Sequence, residues 1–211
     1  MTPIYATSTF KQPSPGVHTG FEYARTQNPT RMAFERCIAD LEGGKAAWAF
    51  ASGLAAMATV LELLDAGSHV VAADDMYGGS WRLFERVRAK SMDLRVSYCD
   101  PNDPASLPKA IGPETRMIWV ETPSNPLLKI TDLEAVARVA REKGILTVCD
   151  NTFASPYVQR PIETGFDIVL HSVTKYINGH SDVVGGVVVA GERPELHERL
   201  PFMQNAIGAI M

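Results

Sequence analysis

Lys175 and Asp150 are the residues whose types and positions most directly indicate chemistry. Lys175 follows the apolar run 168–172, and Asp150 ends another such run at 145–150, a pattern typical of buried strands. A lysine amine at the mouth of a buried strand can lose its charge and attack an aldehyde. A carboxylate at a neighbouring strand end can pair with a protonated ring nitrogen. Together the two groups supply what pyridoxal phosphate requires.

A phosphate site is indicated by Ser52-Gly53-Leu54, which separates an apolar run from a segment rich in alanine and leucine. The start of a helix carries free N–H groups and a partial positive charge, and both suit a phosphate. Gly53 lets the backbone approach a ligand closely. The same pattern also fits an ordinary strand-to-helix turn, so it indicates little by itself.

Four further positions have side chains that suit such a site. Tyr77 precedes two glycines after a predicted strand, where its ring would lie against a planar cofactor or cap the sheet edge. Asn125 lies in a loop fixed by two prolines and is either a held amide or a turn residue. Tyr23 and Arg25 share one side of an extended segment and would reach a phosphate, unless that segment is a solvated arm.

The sequence disfavours three other classes of function. His180-Ser181-Asp182 has the residue types of a hydrolase triad, but adjacent residues cannot align their side chains, and no Gly-x-Ser-x-Gly elbow is present. No Gly-x-Gly-x-x-Gly follows the first predicted strand, which disfavours a nicotinamide-binding fold. A net charge of -4 without a basic stripe disfavours binding to nucleic acid.

The cysteines and the hydropathy pattern bear on the compartment. Cys37, Cys99 and Cys149 lie far apart and form no Cys-x-x-Cys pair, which indicates a reducing compartment and no metal site. The chain does not open with a basic region followed by an apolar stretch, and no apolar run is long enough for a membrane span. We therefore expect a cytoplasmic protein with no metal and no membrane partner.

The order of the predicted elements indicates an α/β fold. Residues 1–29 are predicted to be an extended arm, and residues 30–211 a single domain in which apolar runs alternate with helical patterns. The seven predicted strands are residues 47–51, 69–73, 94–98, 117–121, 145–150, 168–172 and 186–190. Continuous Val/Ile/Leu runs are typical of strands covered on both faces. The sequence thus predicts a doubly wound, mainly parallel sheet with ligands beyond the carboxyl ends of its strands.

Two of the predicted helices differ in the signals at their ends. In residues 131–143, Thr131 and Glu134 form a capping box and Gly144 ends the helix. Residues 194–211 have a helical pattern but no stop signal.

Five motifs in this order resemble the Cys/Met-metabolism family of pyridoxal-phosphate enzymes. They are Tyr23-Ala-Arg25, Ser52-Gly-Leu-Ala-Ala56, Glu121-Thr-Pro-Ser-Asn-Pro126, Asp150-Asn-Thr-Phe-Ala-Ser-Pro156 and Ser172-Val-Thr-Lys-Tyr-Ile-Asn-Gly-His-Ser-Asp182. Within the family, the chain is most similar to the cystathionine gamma-lyases and gamma-synthases. The resemblance implies the large domain of the type I, aspartate aminotransferase-like fold, with helices on both faces of a seven-stranded sheet.

The resemblance also implies roles for individual residues. Lys175 attaches to the cofactor aldehyde and moves protons, Asp150 pairs with the ring nitrogen, and Tyr77 stacks on the ring and takes part in proton transfer. Asn125 and Thr152 support the ring and the substrate. The phosphate is held within one subunit by Gly53, Leu54, Ser172 and Thr174, and Ser52 is a further cofactor-binding residue. Tyr23 and Arg25 reach the phosphate of a neighbouring subunit, which implies a dimer and usually a tetramer.

The activity implied is γ-elimination on L-cystathionine, which gives cysteine, 2-oxobutanoate and ammonia. One alternative is a cystathionine gamma-synthase, which replaces the γ-group of an activated homoserine. The other is an inactive cofactor-binding half, because family members have a C-terminal small domain whose substrate-clamping arginine has no counterpart in these 211 residues. In each active case the partner is a small sulfur-containing amino acid.

Overall fold

A seven-stranded sheet lies at the centre of the computed structural model, which describes residues 2–211. The strands are β1 (Ala46–Phe50), β2 (His69–Ala73), β3 (Arg95–Cys99), β4 (Thr115–Glu121), β5 (Leu146–Asp150), β6 (Ile168–Ser172) and β7 (Gly186–Ala190). Their spatial order is β1-β7-β6-β5-β4-β2-β3. The strands from β3 to β6 in this order pair in parallel, whereas β7 runs antiparallel to both of its neighbours. The predicted α/β fold with a mainly parallel sheet is confirmed.

Helices connect the strands and cover the sheet. They are α1 (Pro29–Glu42), α2 (Gly53–Leu61), α3 (Gly78–Arg82), α4 (Ala89–Ser91), α5 (Ser106–Ala110), α6 (Leu133–Lys143), α7 (Ser155–Val158), α8 (Pro161–Thr164) and α9 (Pro194–Ile207). A π-helical segment, Leu83–Arg88, joins α3 to α4.

Each face of the sheet has its own apolar core because side chains alternate along every strand. On one face, Trp119 of β4 packs edge to face on Phe84, with ring centroids 5.3 Å apart, in a cluster that also includes residues of α2 and α9. On the other face, Cys149 lies in a cluster with Val136 of α6. The parallel strands, covered on both faces, therefore end together at one edge of a rigid scaffold.

The predicted strand positions agree with the structure to within two residues, but two helix ends are corrected. Helix α6 is capped by Asp132, whose side chain accepts from the backbone N–H of Ala135, so no capping box involves Thr131. The backbone N–H of Thr131 donates instead to the Thr122 hydroxyl at 3.0 Å. Helix α9 does have a stop signal, since Gly208 follows it in the left-handed conformation, with φ of 76°.

Helix α1 anchors the segment that precedes it. The buried guanidinium of Arg31 donates to the carbonyls of Ala24 at 2.7 Å, Arg25 at 3.1 Å and Thr26 at 3.0 Å. The first helical residue is Pro29, and the Asn28 side chain caps the helix. Three backbone carbonyls are thus bound by a single side chain at the point where the N-terminal segment joins the domain.

None of the helices within residues 2–211 has the length and hydrophobicity that crossing a bilayer requires.

Candidate active site

A cavity of about 490 Å³ opens at the carboxyl ends of the parallel strands. Ten of the residues predicted from the sequence line it: Ser52, Gly53, Leu54, Tyr77, Asn125, Asp150, Thr152, Ser172, Thr174 and Lys175. Four lining residues were not predicted: Met57, Glu121, Phe153 and Val184. A site at this edge is what parallel strands favour, because their carboxyl ends and the helix starts converge there.

One end of the cavity is the start of helix α2. The Ser52 hydroxyl caps the helix by accepting from the backbone N–H of Ala55 at 3.0 Å. The first N–H groups of a helix have no intrahelical partner, so those of Gly53 and Leu54 are available to an anion. Gly53 lies against Ser172, and a Cβ at this glycine would lie 2.8 Å from that of Ser172. The ends of β1 and β6 thus meet beside the start of α2, and only a glycine at position 53 fits the space between them. We call this contact between Gly53 and Ser172 the cradle.

We expect Gly53→Ala to weaken cofactor binding about tenfold, because overpacking at such a contact costs ~1–3 kcal/mol. The measurement is an absorbance titration of the cofactor-free chain with pyridoxal phosphate. Gly112→Ala is the matched control, since a Cβ there would meet nothing within 4 Å. Equal affinities for the Gly53 variant and the unmodified chain would contradict the cradle.

Asp150 presents one free carboxylate oxygen to the cavity. Its Oδ1 accepts from the hydroxyl of Thr152 at 2.5 Å and from the backbone N–H of the same residue at 3.1 Å. Oδ2 has no hydrogen bond within residues 2–211 and is left for a ligand. Burial raises the pKa of Asp150, against which the Thr152 hydrogen bonds and the charge of His171 act. A cationic group beside Oδ2 would restore the ionised form.

Lys175 lies in the turn that follows β6, and its side chain is exposed. Its backbone N–H donates to Ser172 at 3.2 Å, and its carbonyl accepts from Gly179 at 2.8 Å. It lines the cavity described above and a neighbouring cavity of about 630 Å³. Lys175 therefore borders two cavities, and the smaller of them is also lined by Asp150.

Tyr77 and Glu121 also line the cavity. Tyr77 precedes α3, and its backbone N–H donates to Glu121 Oε2 at 2.8 Å. Glu121 ends β4 and pairs in register with Asp150 at the end of β5. Burial, followed by the charge of Asp150, raises the pKa of Glu121 to about 8. A signal for Glu121 is present in the sequence, because this acid ends an apolar run and the next predicted strand ends in an acid as well, Asp150.

We expect the cofactor-free chain to lose stability between about pH 4.5 and pH 8 through Glu121. Its pKa in the folded chain exceeds the ordinary value of 4.5, so the folded state binds more protons across this window. Stability from this group is full below the window and declines as the pH rises through it. Urea midpoints at about pH 5 and about pH 8.5 measure the effect, and Glu121→Gln should reduce the difference. The same pH dependence in both chains would contradict the assignment.

Tyr23 and Arg25 do not line the cavity of their own chain. Arg25 donates to the Asn205 backbone carbonyl at 2.6 Å and to its side-chain oxygen at 3.2 Å. Its guanidinium also lies over the Tyr23 ring, 5.2 Å from the centroid. Both residues are held together on the domain surface, near the end of α9.

The family model for Cys/Met metabolism PLP-dependent enzymes matches residues 1–211. The chain belongs to this family. Among its relatives are the cystathionine beta-lyase of Coxiella burnetii, 60% identical over 100% of this chain and 54% of that protein, and a probable cystathionine gamma-synthase of Herpetosiphon aurantiacus, 55% identical over 100% and 65%. The chain thus spans between about half and two thirds of the length of these relatives.

A solved structure gives the same family fold. The cystathionine gamma-lyase of Lactobacillus plantarum, complexed with L-serine, superposes with a TM-score of 0.95 at 50% identity, over 100% of this chain and 54% of that one. The resemblance found in the motifs and the aspartate aminotransferase-like fold are confirmed.

Pyridoxal phosphate, the cofactor of this family, fits the residues that line the cavity. The amine of Lys175 suits its aldehyde, Oδ2 of Asp150 its ring nitrogen, and the start of α2 its phosphate. The Tyr77 ring, 45% exposed, offers a face to a planar group. By contrast, the described residues include no group of three or more His, Cys, Asp or Glu side chains suited to a metal ion.

Proposed function

We propose that this chain is the cofactor-binding part of a carbon–sulfur lyase that carries out γ-elimination on L-cystathionine. The observation that carries the proposal is the single cavity shared by Lys175, Asp150, Tyr77 and the start of α2. The similarity to a gamma-lyase structure along the whole chain supports this choice of reaction. The products would be cysteine, 2-oxobutanoate and ammonia.

Each residue has a part in this proposal. Bound pyridoxal phosphate supplies an electron sink for the substrate's α-carbon. The Lys175 amine would hold the cofactor by its aldehyde and would take up the α-proton of the substrate. Asp150 Oδ2 holds a proton at the ring nitrogen, while the start of α2 and the hydroxyls of Ser172 and Thr174 bind the phosphate. Asn125 and Thr152 orient the ring and the substrate.

The proposal includes the organisation of the chain. Residues 1–29 are an arm, residues 30–211 are the large domain, and a small domain that binds the substrate carboxylate belongs to the complete protein. Tyr23 and Arg25 reach the cofactor phosphate of a neighbouring subunit in a cytoplasmic homotetramer. In support, Arg31 fixes the root of the arm, and the three cysteines are free.

A β-elimination on cystathionine is the second candidate, because the Coxiella burnetii beta-lyase is 60% identical to the chain. It would give homocysteine, pyruvate and ammonia. The third candidate, γ-replacement on an activated homoserine, has the similarity to the Herpetosiphon aurantiacus protein in its favour. An inactive cofactor-binding half is the fourth.

One assay series separates these candidates. The chain is loaded with pyridoxal phosphate, and borohydride reduction followed by peptide mass spectrometry should label Lys175. Cystathionine is then added, and the 2-oxo acid is identified: 2-oxobutanoate supports γ-elimination and pyruvate supports β-elimination. Cystathionine formed from cysteine and an activated homoserine would support the synthase. Labelling of Lys175 without any product would support the inactive cofactor-binding half. The absence of labelling would contradict the cofactor site itself.

A further inference from the structure

Glu121 is a buried carboxylate inside the cofactor cavity that has no part in the reaction proposed above. It is 5% exposed, and within residues 2–211 it forms no ion pair with a lysine, arginine or histidine. A second acid, Asp150, lies directly beside it at the end of the next strand. Burying a carboxylate without a cation is costly and raises its pKa, and hydrogen bonds from its neighbours oppose part of that cost.

A backbone N–H offsets part of this cost. The N–H of Tyr77 donates to Oε2 of Glu121 at 2.8 Å, and the backbone of Asn125 also acts to lower the pKa of the carboxyl group. Tyr77 and Asn125 both line the cavity. One acid at the end of β4 therefore binds the segment that presents the tyrosine ring and influences a group that belongs to the loop with the amide.

The bond from Glu121 holds the backbone at the residue from which the tyrosine ring extends. Tyr77 precedes helix α3, and its side chain makes no capping hydrogen bond. Gly79 leaves room for the ring, because a Cβ at that position would overlap the Tyr77 ring atoms. Tyr77 is 45% exposed, so little packing holds its ring from outside. The ring is therefore anchored by its own backbone, whose N–H is bound by Glu121 and whose carbonyl accepts from the N–H groups of Ser80 and Trp81.

We propose that Glu121 is a positioning residue that acts through the backbone N–H of Tyr77 to hold the tyrosine ring at the cofactor cavity. The proposal rests on the proposed function only in naming the ligand of that cavity. The charged groups that act on Glu121 are Asp150 and Asp75 of the tyrosine loop, and Lys175 lines the same cavity. None of them bonds to the N–H of Tyr77 within the described residues.

The first test follows the amide itself in the cofactor-free chain. We expect Glu121→Ala to accelerate hydrogen exchange at the Tyr77 amide about tenfold, while Glu121→Gln, which keeps an acceptor oxygen, preserves protection. Exchange in helix α6, Leu133–Lys143, should be unchanged in both, which excludes a general loss of stability. Unchanged exchange at Tyr77 in Glu121→Ala would overturn the proposal.

The second test is a double-mutant cycle on pyridoxal phosphate affinity. We expect Glu121→Ala to weaken binding about tenfold with Tyr77 present and less than about twofold in a Tyr77→Ala background. Equal losses in both backgrounds would overturn the proposal, because Glu121 would then act independently of the ring.

Lys129→Ala is the control for both tests. It removes the exposed ion pair with Asp74, 2.9 Å long, which joins the same two loops outside the cavity. We expect it to change neither readout, and an effect equal to that of Glu121→Ala would overturn the special role of the acid. The exchange test needs neither cofactor nor substrate, so it can fail while the proposed function stands. If the unmodified chain did not bind pyridoxal phosphate, that result would instead contradict the proposed function.

Discussion

A Lys175→Ala chain is expected to fold normally but to lose covalent attachment of pyridoxal phosphate completely. The exposed lysine side chain makes no hydrogen bond or ion pair within residues 2–211, so its removal leaves no partner unpaired. Borohydride reduction followed by mass spectrometry should then find no cofactor on the chain. In the complete enzyme, turnover should fall by a factor of about 10² to 10⁴ from the loss of the proton-transferring amine alone.

The control is Lys45→Ala, which removes another exposed lysine, whose ion pair with Glu192 lies outside the cavity. It should be labelled by borohydride as the unmodified chain is. Cofactor attached to the Lys175→Ala chain at another lysine, with unchanged absorbance, would contradict the site.

An Asp150→Asn chain is expected to bind the cofactor but to remove the substrate α-proton about 10²- to 10³-fold more slowly. An amide cannot stabilise a proton on the ring nitrogen as a carboxylate does, while the bonds from Thr152 to an oxygen at this position can persist. The measurement is exchange of the α-proton of a bound amino acid in deuterated buffer, which isolates this step from product release.

Asp40→Asn is the matched control, since it makes the same chemical change on the exposed surface of α1. It should exchange the α-proton at the unmodified rate. Normal exchange in Asp150→Asn as well would show that the ring nitrogen needs no anionic partner.

The fold followed from the sequence because the strong signals were local. Continuous apolar runs gave six of the seven strands to within one residue at each end, and the seventh, β4, began two residues earlier than predicted. Pairs of polar residues at strand ends identified the cavity because parallel strands present their carboxyl ends at one edge. The cap of α6 was wrong by one residue, since Thr131 and Asp132 both suit that position and the Thr131 N–H is engaged by Thr122.

The parts of the site that sequence reasoning missed depend on contacts between distant segments. Glu121 lies within one of the five motifs, but the motif indicates no role for it, because its bond to Tyr77 joins the end of β4 to a distant segment before α3. Phe153 and Val184 enter the cavity through turns whose course has no period in the sequence. The Arg25 contact with Asn205 spans nearly the whole chain and leaves no local signal.

The Thr152 hydroxyl connects Asp150 to the start of the turn that carries Lys175 through two hydrogen bonds. It donates to Asp150 and at the same time accepts from the backbone N–H of Ser172 at 2.8 Å, at the start of the turn that bears Lys175. A hydroxyl has a single hydrogen to give, so its orientation is fixed as long as the acid accepts it. A change in the charge of Asp150 should therefore alter the hydrogen bond made by the backbone N–H of Ser172, at the start of the turn with Lys175. The nitrogen-15 chemical shift of the Ser172 amide would then report on the ionisation of this carboxylate.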